Sequence, residues 1–409
     1  MTAPNGSILF NNSTGSDTTA SGLGAANVYG AGASTTGASA VVTGISTTGI
    51  RAGDLLWVQS SSGRQFSIIA SVDSSTQVTC DDNFDNTESG RTWAIGGKRA
   101  TLENSREIFP DVAQYLKGVI HLETDQTINS RIGPTGLAGV IESADDTIKT
   151  ITQTANAAHF YGGYGSLYSG LIFKKIKFAN SYGSSLNQPI FLWDNGSSYQ
   201  SVFAEQCVFG DPTNQCYTLQ SGGGSFHYYT FVIAHGCVIQ NMLDVYAVSM
   251  TLDQKRPSFK GCLFRNNNRA IGAPGTGGGF SGTVMDCIFD SNAYGVQQHR
   301  SQNMNIQGNI FYNHSVAAIS IGLQHPFNCN NNLFVNNAVC FNSGKPYYYK
   351  NYFYNNTVKF SVSSNESLLG DVDLTADPFV SAANGNFNLN DFPGGGNLLR
   401  AKYYELGGN

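Results

Sequence analysis

The sequence predicts an all-β solenoid, a right-handed single-stranded parallel β-helix preceded by a small N-terminal antiparallel β module and a short capping helix. Three observations carry this expectation: a recurring five-residue step of variable period, a second strand in phase with it, and a composition poor in charge and rich in turn formers.

The step reads Cys207-Val208-Phe209-Gly210-Asp211, Cys237-Val238-Ile239-Gln240-Asn241, Cys262-Leu263-Phe264-Arg265-Asn266 and Cys287-Ile288-Phe289-Asp290-Ser291. It continues with Asn in first place, at Asn309-Ile310-Phe311-Tyr312-Asn313, Asn332-Leu333-Phe334-Val335-Asn336 and Asn351-Tyr352-Phe353-Tyr354-Asn355, with an earlier relative at Ile176-Lys177-Phe178. First positions are 31, 30, 25, 25, 22, 23 and 19 residues apart. A helical repeat holds its period, whereas a short strand of constant length at a varying period is what coils with loop insertions produce.

Side chains of a strand alternate between its faces, so the first residue and the Phe two places on share a face while the aliphatic between them takes the other. Stacked rungs then form an interior column from Cys207, Cys237, Cys262 and Cys287 and another from Phe209, Phe264, Phe289, Phe311, Phe334 and Phe353. Parallel stacked thiols point the same way and not at each other, which favours free thiols in an apolar core over disulfides. Asn or Asp after the strand turns the chain, because these residues tolerate a left-handed backbone. The second strand follows in phase at Ala270-Ile271, Gly295-Val296, Ala318-Ile319 and Cys340-Phe341.

The chain has 409 residues, of which 12% are charged and 12% aromatic, with a net charge of -5. Disorder needs more charge and fewer aromatics, and scattered Lys and Arg under a net negative charge give no surface for nucleic acid. No stretch reaches the ~20 apolar residues of a membrane span, and the N-terminus lacks the pattern of a signal peptide.

Residues 1–99 read as the β module, with alternation in Asp54-Leu55-Leu56-Trp57-Val58, in residues 66–72 and in Gln77-Val78-Thr79-Cys80. Residues 100–118 have the apolar spacing and acidic start of a capping helix, which would cover the open end of a solenoid at 119–392. Residues 393–409 are expected to form a C-terminal tail, with Asp377-Pro378-Phe379-Val380 through Asn390 as the closing coil.

From about Lys98 to Asn390 the chain resembles the right-handed parallel β-helix superfamily that includes pectate lyases and bacteriophage tailspikes. Its Asn-rich coils and Asp377-Pro378-Phe379-Val380 carry the resemblance. The stretch from Ser89 through Trp93-Ala94-Ile95-Gly96-Gly97 to Arg99 resembles the lead-in module of β-helix proteins encoded by phages. The resemblance implies a trimer of parallel coils that partners other virion proteins of capsid or tail, assembled in the host cytoplasm and located on the virion.

An enzyme on this fold needs paired carboxylates, or acidic groups with a base, on neighbouring coils. The candidates are Asp286, Asp290 and Glu205, but Asp290 stands one 25-residue coil after Arg265, which a stacked ion pair explains. Asp145-Asp146 and Asp371-Val372-Asp373 are the possible cation ligands, although acidic doublets in turns are usually solvated. The His are dispersed, so no metal and no cofactor is expected. His299, placed after a strand, and Tyr347-Tyr348-Tyr349, able to stack on sugars, are further surface candidates.

The middle residues of the step, Val208, Val238, Leu263, Ile288, Ile310, Leu333 and Tyr352, face outward and are all apolar or aromatic. Such a stripe is unusual on a monomer. Either long loops cover it or it is a trimer interface. The expectation is a structural phage protein, a trimeric spike or capsid decoration that contacts host-surface glycans, and not an enzyme. The alternative is a polysaccharide lyase or hydrolase.

Overall fold

The computed structural model describes residues 7–11, 28–96, 102, 118–130, 132, 139–155, 159–162, 168–180, 189–193, 199–210, 217–221, 230–242, 247–249, 257–272, 279–298, 300–301, 304–322, 327–342, 346–361 and 370–405. The chain forms two compact units, Met1–Cys237 and Val238–Asn409.

In the first unit, strands Val28–Thr35, Ser39–Thr43, Leu55–Ser60, Gly63–Ser74, Gln77–Phe84 and Glu88–Ile95 close into a six-stranded antiparallel barrel. Alternation puts Val42, Leu56, Val58, Ile69, Val78, Trp93 and Ile95 inside it. Where the first two strands cross, a Cβ on Gly44 would stand 2.3 Å from the Gly32 carbonyl oxygen, so this corner requires glycine.

The module is not the whole of residues 1–99. Strand Ser7–Asn11 pairs in parallel with Gly118–Leu122, Ser7 opposite Gly118, and so forms the first rung of the solenoid. The barrel is therefore an insertion between the first rung and the second. Residues 103–117, the greater part of the expected capping helix, lie outside the described residues.

The coils of this unit run through three parallel sheets. The first contains Gly118–Leu122, Gly139–Ser143, Tyr168–Lys174, Tyr199–Glu205 and Thr230–His235; the second contains Gln126–Ile128, Lys149–Gln153, Ile176–Asn180 and Val208–Phe209; the third contains Phe160–Gly162, Pro189–Trp193 and Tyr217–Ser221. Ile120, Ile141, Phe173 and Ala204 are buried from the first sheet, and Phe178 stacks on Phe209 with ring centroids 5.1 Å apart.

The second unit repeats the plan. Its second sheet holds Leu263–Arg265, Ile288–Asp290, Ile310–Tyr312, Leu333–Val335 and Tyr352–Tyr354, and Phe264, Phe289, Phe311, Phe334 and Phe353 form one stack at centroid spacings of 4.7, 4.7, 5.0 and 5.3 Å. The predicted Phe column is thus a stack of parallel rings. Cys207, Cys237, Cys262 and Cys287 are buried free thiols.

Each rung is bracketed by two left-handed corners. One precedes the step, at Gly261, Asp286, Gly308, Asn331 and Lys350, and one ends it, at Asn266, Ser291, Asn313, Asn336 and Asn355, all with φ between 49° and 69°. The second group is the turn that the terminal Asn of the step predicts, and Ser291 takes it too. Gly, Asn, Asp and Ser adopt this backbone at the least cost, because their side chains are absent or bond locally.

The corners leave backbone groups unpaired by the sheets, and two internal amide ladders take them up. In the first, Asn309 Oδ1 accepts from the Cys287 backbone N–H, Asn332 Oδ1 from Asn309, Asn351 Oδ1 from Asn332, and Asp371 Oδ1 from Asn351, at 2.9–3.0 Å. In the second, Asn267, Asn292, Asn337 and Asn356 do the same one residue after the far corner, each donating back to a carbonyl of an earlier rung. A buried network of this kind fixes register, since a slip of one residue would orphan every member.

The C-terminal segment corrects two expectations. Phe379–Ser381 and Asn386–Leu389 form an antiparallel hairpin and not a closing coil, and residues 396–405 form a helix in place of a tail. Hairpin and helix pack as a strap on the second sheet: Phe379, Ala382 and Leu399 are buried against Leu333, Val335, Tyr352 and Leu374.

Candidate functional site

The acidic candidates are placed by the corners and by the outer face of the second sheet. Asp290 ends the strand Ile288–Asp290 facing outward, and its Oδ2 accepts from Arg265 Nε at 2.7 Å while Oδ1 accepts from the Ser291 hydroxyl at 2.8 Å. Its carboxylate is buried and held as half of an ion pair, the arrangement that the 25-residue offset predicts. Asp286 is the exposed left-handed corner at the other end of the same rung, and a Cβ on Gly308 would lie 2.6 Å from its Oδ1. Gly308 therefore leaves the room that this carboxylate fills. Glu205 is exposed at the end of a first-sheet strand of the first unit, between Lys174 and His235 in the register.

The two acidic doublets also take part in local structure. Asp145 accepts from the Thr147 hydroxyl and backbone and from Lys149 Nζ, and the Thr147 bonds above all hold its carboxyl well below the usual range. Asp371 terminates the first Asn ladder; burial raises its pKa, and its Oδ2 has no partner. Asp373 pairs with Lys359. No group of three His, Cys, Asp or Glu that would hold a metal occurs among the described residues. His299 and the side chains of Tyr347-Tyr348-Tyr349 lie outside the described residues.

Two buried histidines have depressed pKa values, both about 4, through loss of hydration. His159 bonds to the Ala179 carbonyl at 2.8 Å, and His314 occupies an Asn position of the second ladder. His314 meets Asn337 Oδ1 through its backbone N–H at 3.0 Å and through Nδ1 at 2.9 Å, which makes Nδ1 the protonated nitrogen. Its Nε2 is buried without a partner beside Gly295.

The outward stripe divides into two parts. Leu333 and Tyr352, 7% and 8% exposed, are buried inside the chain by the strap, so these two are removed from a free interface, and Ile310 packs half-buried beside them. The reason lies in the fourth position of the step. Gln240, Arg265 and Asp290 give way there to Tyr312, Val335 and Tyr354, so the outer face becomes apolar in two columns where the strap lies. Val208, Val238, Leu263 and Ile288 remain half-buried. Where the strap turns, Ile288, Ile310 and residues 384–388 line an open groove of about 440 Å³, and Gly385 stands beside Arg265, whose Nη2 would be 3.0 Å from a Cβ there.

Residues 190–358 match the family model of the right-handed β-helix region. The chain therefore carries a right-handed parallel β-helix. A search of curated proteins returns no match. Among solved structures, the tailspike protein gp49 from Pseudomonas phage LKA1 is similar at 11% identity, covering 90% of this chain and 70% of that one, with a TM-score of 0.17. The catalytic domain of a GH87 alpha-1,3-glucanase in complex with nigerose is similar at 8% identity, covering 87% and 89%, with a TM-score of 0.20.

Proposed function

We propose that this chain is a structural protein of a bacteriophage particle, a homotrimeric β-helix spike or capsid decoration whose N-terminal barrel attaches to the virion and whose coils project from it toward host-surface glycans. The observation that carries the structural reading is the use made of the carboxylates. Asp290 is consumed by Arg265, Asp371 by the Asn ladder and Asp145 by Lys149 and Thr147. Asp286 and Asp290 stand at opposite ends of one short strand, roughly 13 Å apart along an extended backbone. The phage assignment draws on the lead-in stretch from Ser89 to Arg99. Mass spectrometry of particles purified from the encoding host should find the chain at a fixed stoichiometry to the coat protein; its absence from every particle fraction refutes the reading.

A polysaccharide lyase or hydrolase is the second reading, and the groove between Ile288, Ile310 and the strap favours it, because Arg265 and Asp290 stand at its edge. Release of reducing or unsaturated ends from host capsule, lost in Asp290→Asn, would establish that enzyme.

A further inference from the structure

We infer that the outer face of the first sheet in the first unit is a self-association surface on which a second copy of this chain packs. The register aligns Val119, Val140, Ile172, Phe203 and Ile233 in one column. Each alternates with a buried neighbour, Ile120, Ile141, Phe173, Ala204 and Ala234, so the column points away from the core, and all five residues are half-buried. In the second unit the corresponding positions, four residues before each step, are Ser258, Thr283, Asn305, Asn328 and Tyr347, polar in the first four. The apolar column is therefore a property of particular rungs and not of the fold.

Among the described residues, the second-sheet column is buried by the strap at Leu333 and Tyr352 and half-buried at Val208, Val238, Leu263 and Ile288, and the first-sheet column is half-buried at all five positions. Beside it runs a column of His121, Glu142, Lys174, Glu205 and His235, in which Glu142 meets His121 at 3.3 Å and Lys174 at 3.6 Å. Phe203 leans edge-on against His235, with centroids 5.5 Å apart. An apolar centre beside a rim whose charges meet within their own chain is the anatomy of a protein interface.

Two arguments select a second copy as the occupant. Five apolar groups repeat at the spacing of the rungs, ~4.8 Å, and the surface that matches such a repeat throughout is another stack of the same coils. The size also fits: five rungs of ~4.8 Å and strands of up to seven residues at ~3.3 Å each give a face of roughly 24 by 23 Å. That is about 550 Å² in projection and more in accessible area, the order of one partner's ~800 Å² share of a standard interface.

This inference rests on the oligomeric part of the function proposed above and names the face that serves it. The test is sedimentation velocity of the full chain at micromolar concentration, with Phe203→Glu and Ile172→Lys against the control Asn305→Glu on the second unit. The wild type and the control should sediment as one oligomer, and either column variant as a monomer with unchanged circular dichroism. Should both column variants misfold, Val140→Thr, which keeps the strand former, should still raise the dissociation constant at least tenfold. A monomeric wild type overturns both the self-association face and the trimeric reading. An oligomer insensitive to the column variants but broken by Leu263→Glu or Ile288→Glu overturns this face alone, and an oligomer insensitive to all four does the same.

Discussion

The second unit builds the same rung in two ways. Cys262 and Cys287 open their steps with thiols that meet a carbonyl two residues earlier, at 3.5 and 3.2 Å, and each other, whereas Asn309 and Asn332 open theirs with amides that each bind two other rungs. Backbone and inward direction are shared, so the thiols fill space and the amides fill space and also fix register. Burial raises the thiol pKa of Cys287 and Cys329 well above the ordinary value, which keeps both protonated and inert. A thiol takes only weak contacts with its volume, whereas an amide takes the bonds of its neighbours with it.

The largest effect that would sharpen this contrast is Asn332→Leu. It would strand the Asn309 backbone N–H, the Asn309 amide and the Ile306 carbonyl in the core. At ~1–3 kcal/mol for each of the three orphaned groups, a loss of about 3–9 kcal/mol is expected, measured by urea denaturation. A loss under ~1 kcal/mol would mean that the ladder is ornamental.

His314, the exception within the second ladder, gives the next effect. Its pKa falls from 6.5 to about 4 in the fold because burial disfavours the cation, so between these values the unfolded chain binds more protons. Stability is full above about pH 6.5 and is lost as pH falls toward 4, by 2.5 units at 1.36 kcal/mol each, or about 3 kcal/mol. His314→Asn should flatten that part of the curve between pH 7 and 4.5; an unchanged slope would show that the acid response arises elsewhere. The smallest change is Cys287→Ala, expected to cost about 1 kcal/mol, chiefly through lost volume, and a loss as large as that of Asn332→Leu would erase the distinction between the columns.

Much of this was legible in the residues. Alternation within the step identified the Phe column and the buried thiols, and Asn after the strand identified the corner, because both are local consequences of strand geometry. The second ladder was written just as openly in Asn267, Asn292, Asn337 and Asn356, but an Asn beside a turn residue reads as part of the turn until the corner is known to send it inward. Asp371 stands 20 residues after Asn351, a rung spacing that marks it as a ladder end in place of a ligand. The strap was misread for a different reason. Phe379, Phe387 and Leu389 alternate as any strand does, and nothing local distinguishes a parallel partner from an antiparallel one. The apolar fourth positions Tyr312, Val335 and Tyr354 were the available sign that something covers that face.

The paired corners also set where the chain tolerates being cut. From Asp286 to Ser291, as from Gly308 to Asn313, each rung spends six residues between left-handed positions, while the distance from one step to the next varies from 19 to 31. All of that variation falls outside the bracket, in arcs that the ladders bind only at their ends. Limited proteolysis should therefore nick the arcs and leave the fragments stacked, a broken covalent thread inside an intact column, separable only by denaturation.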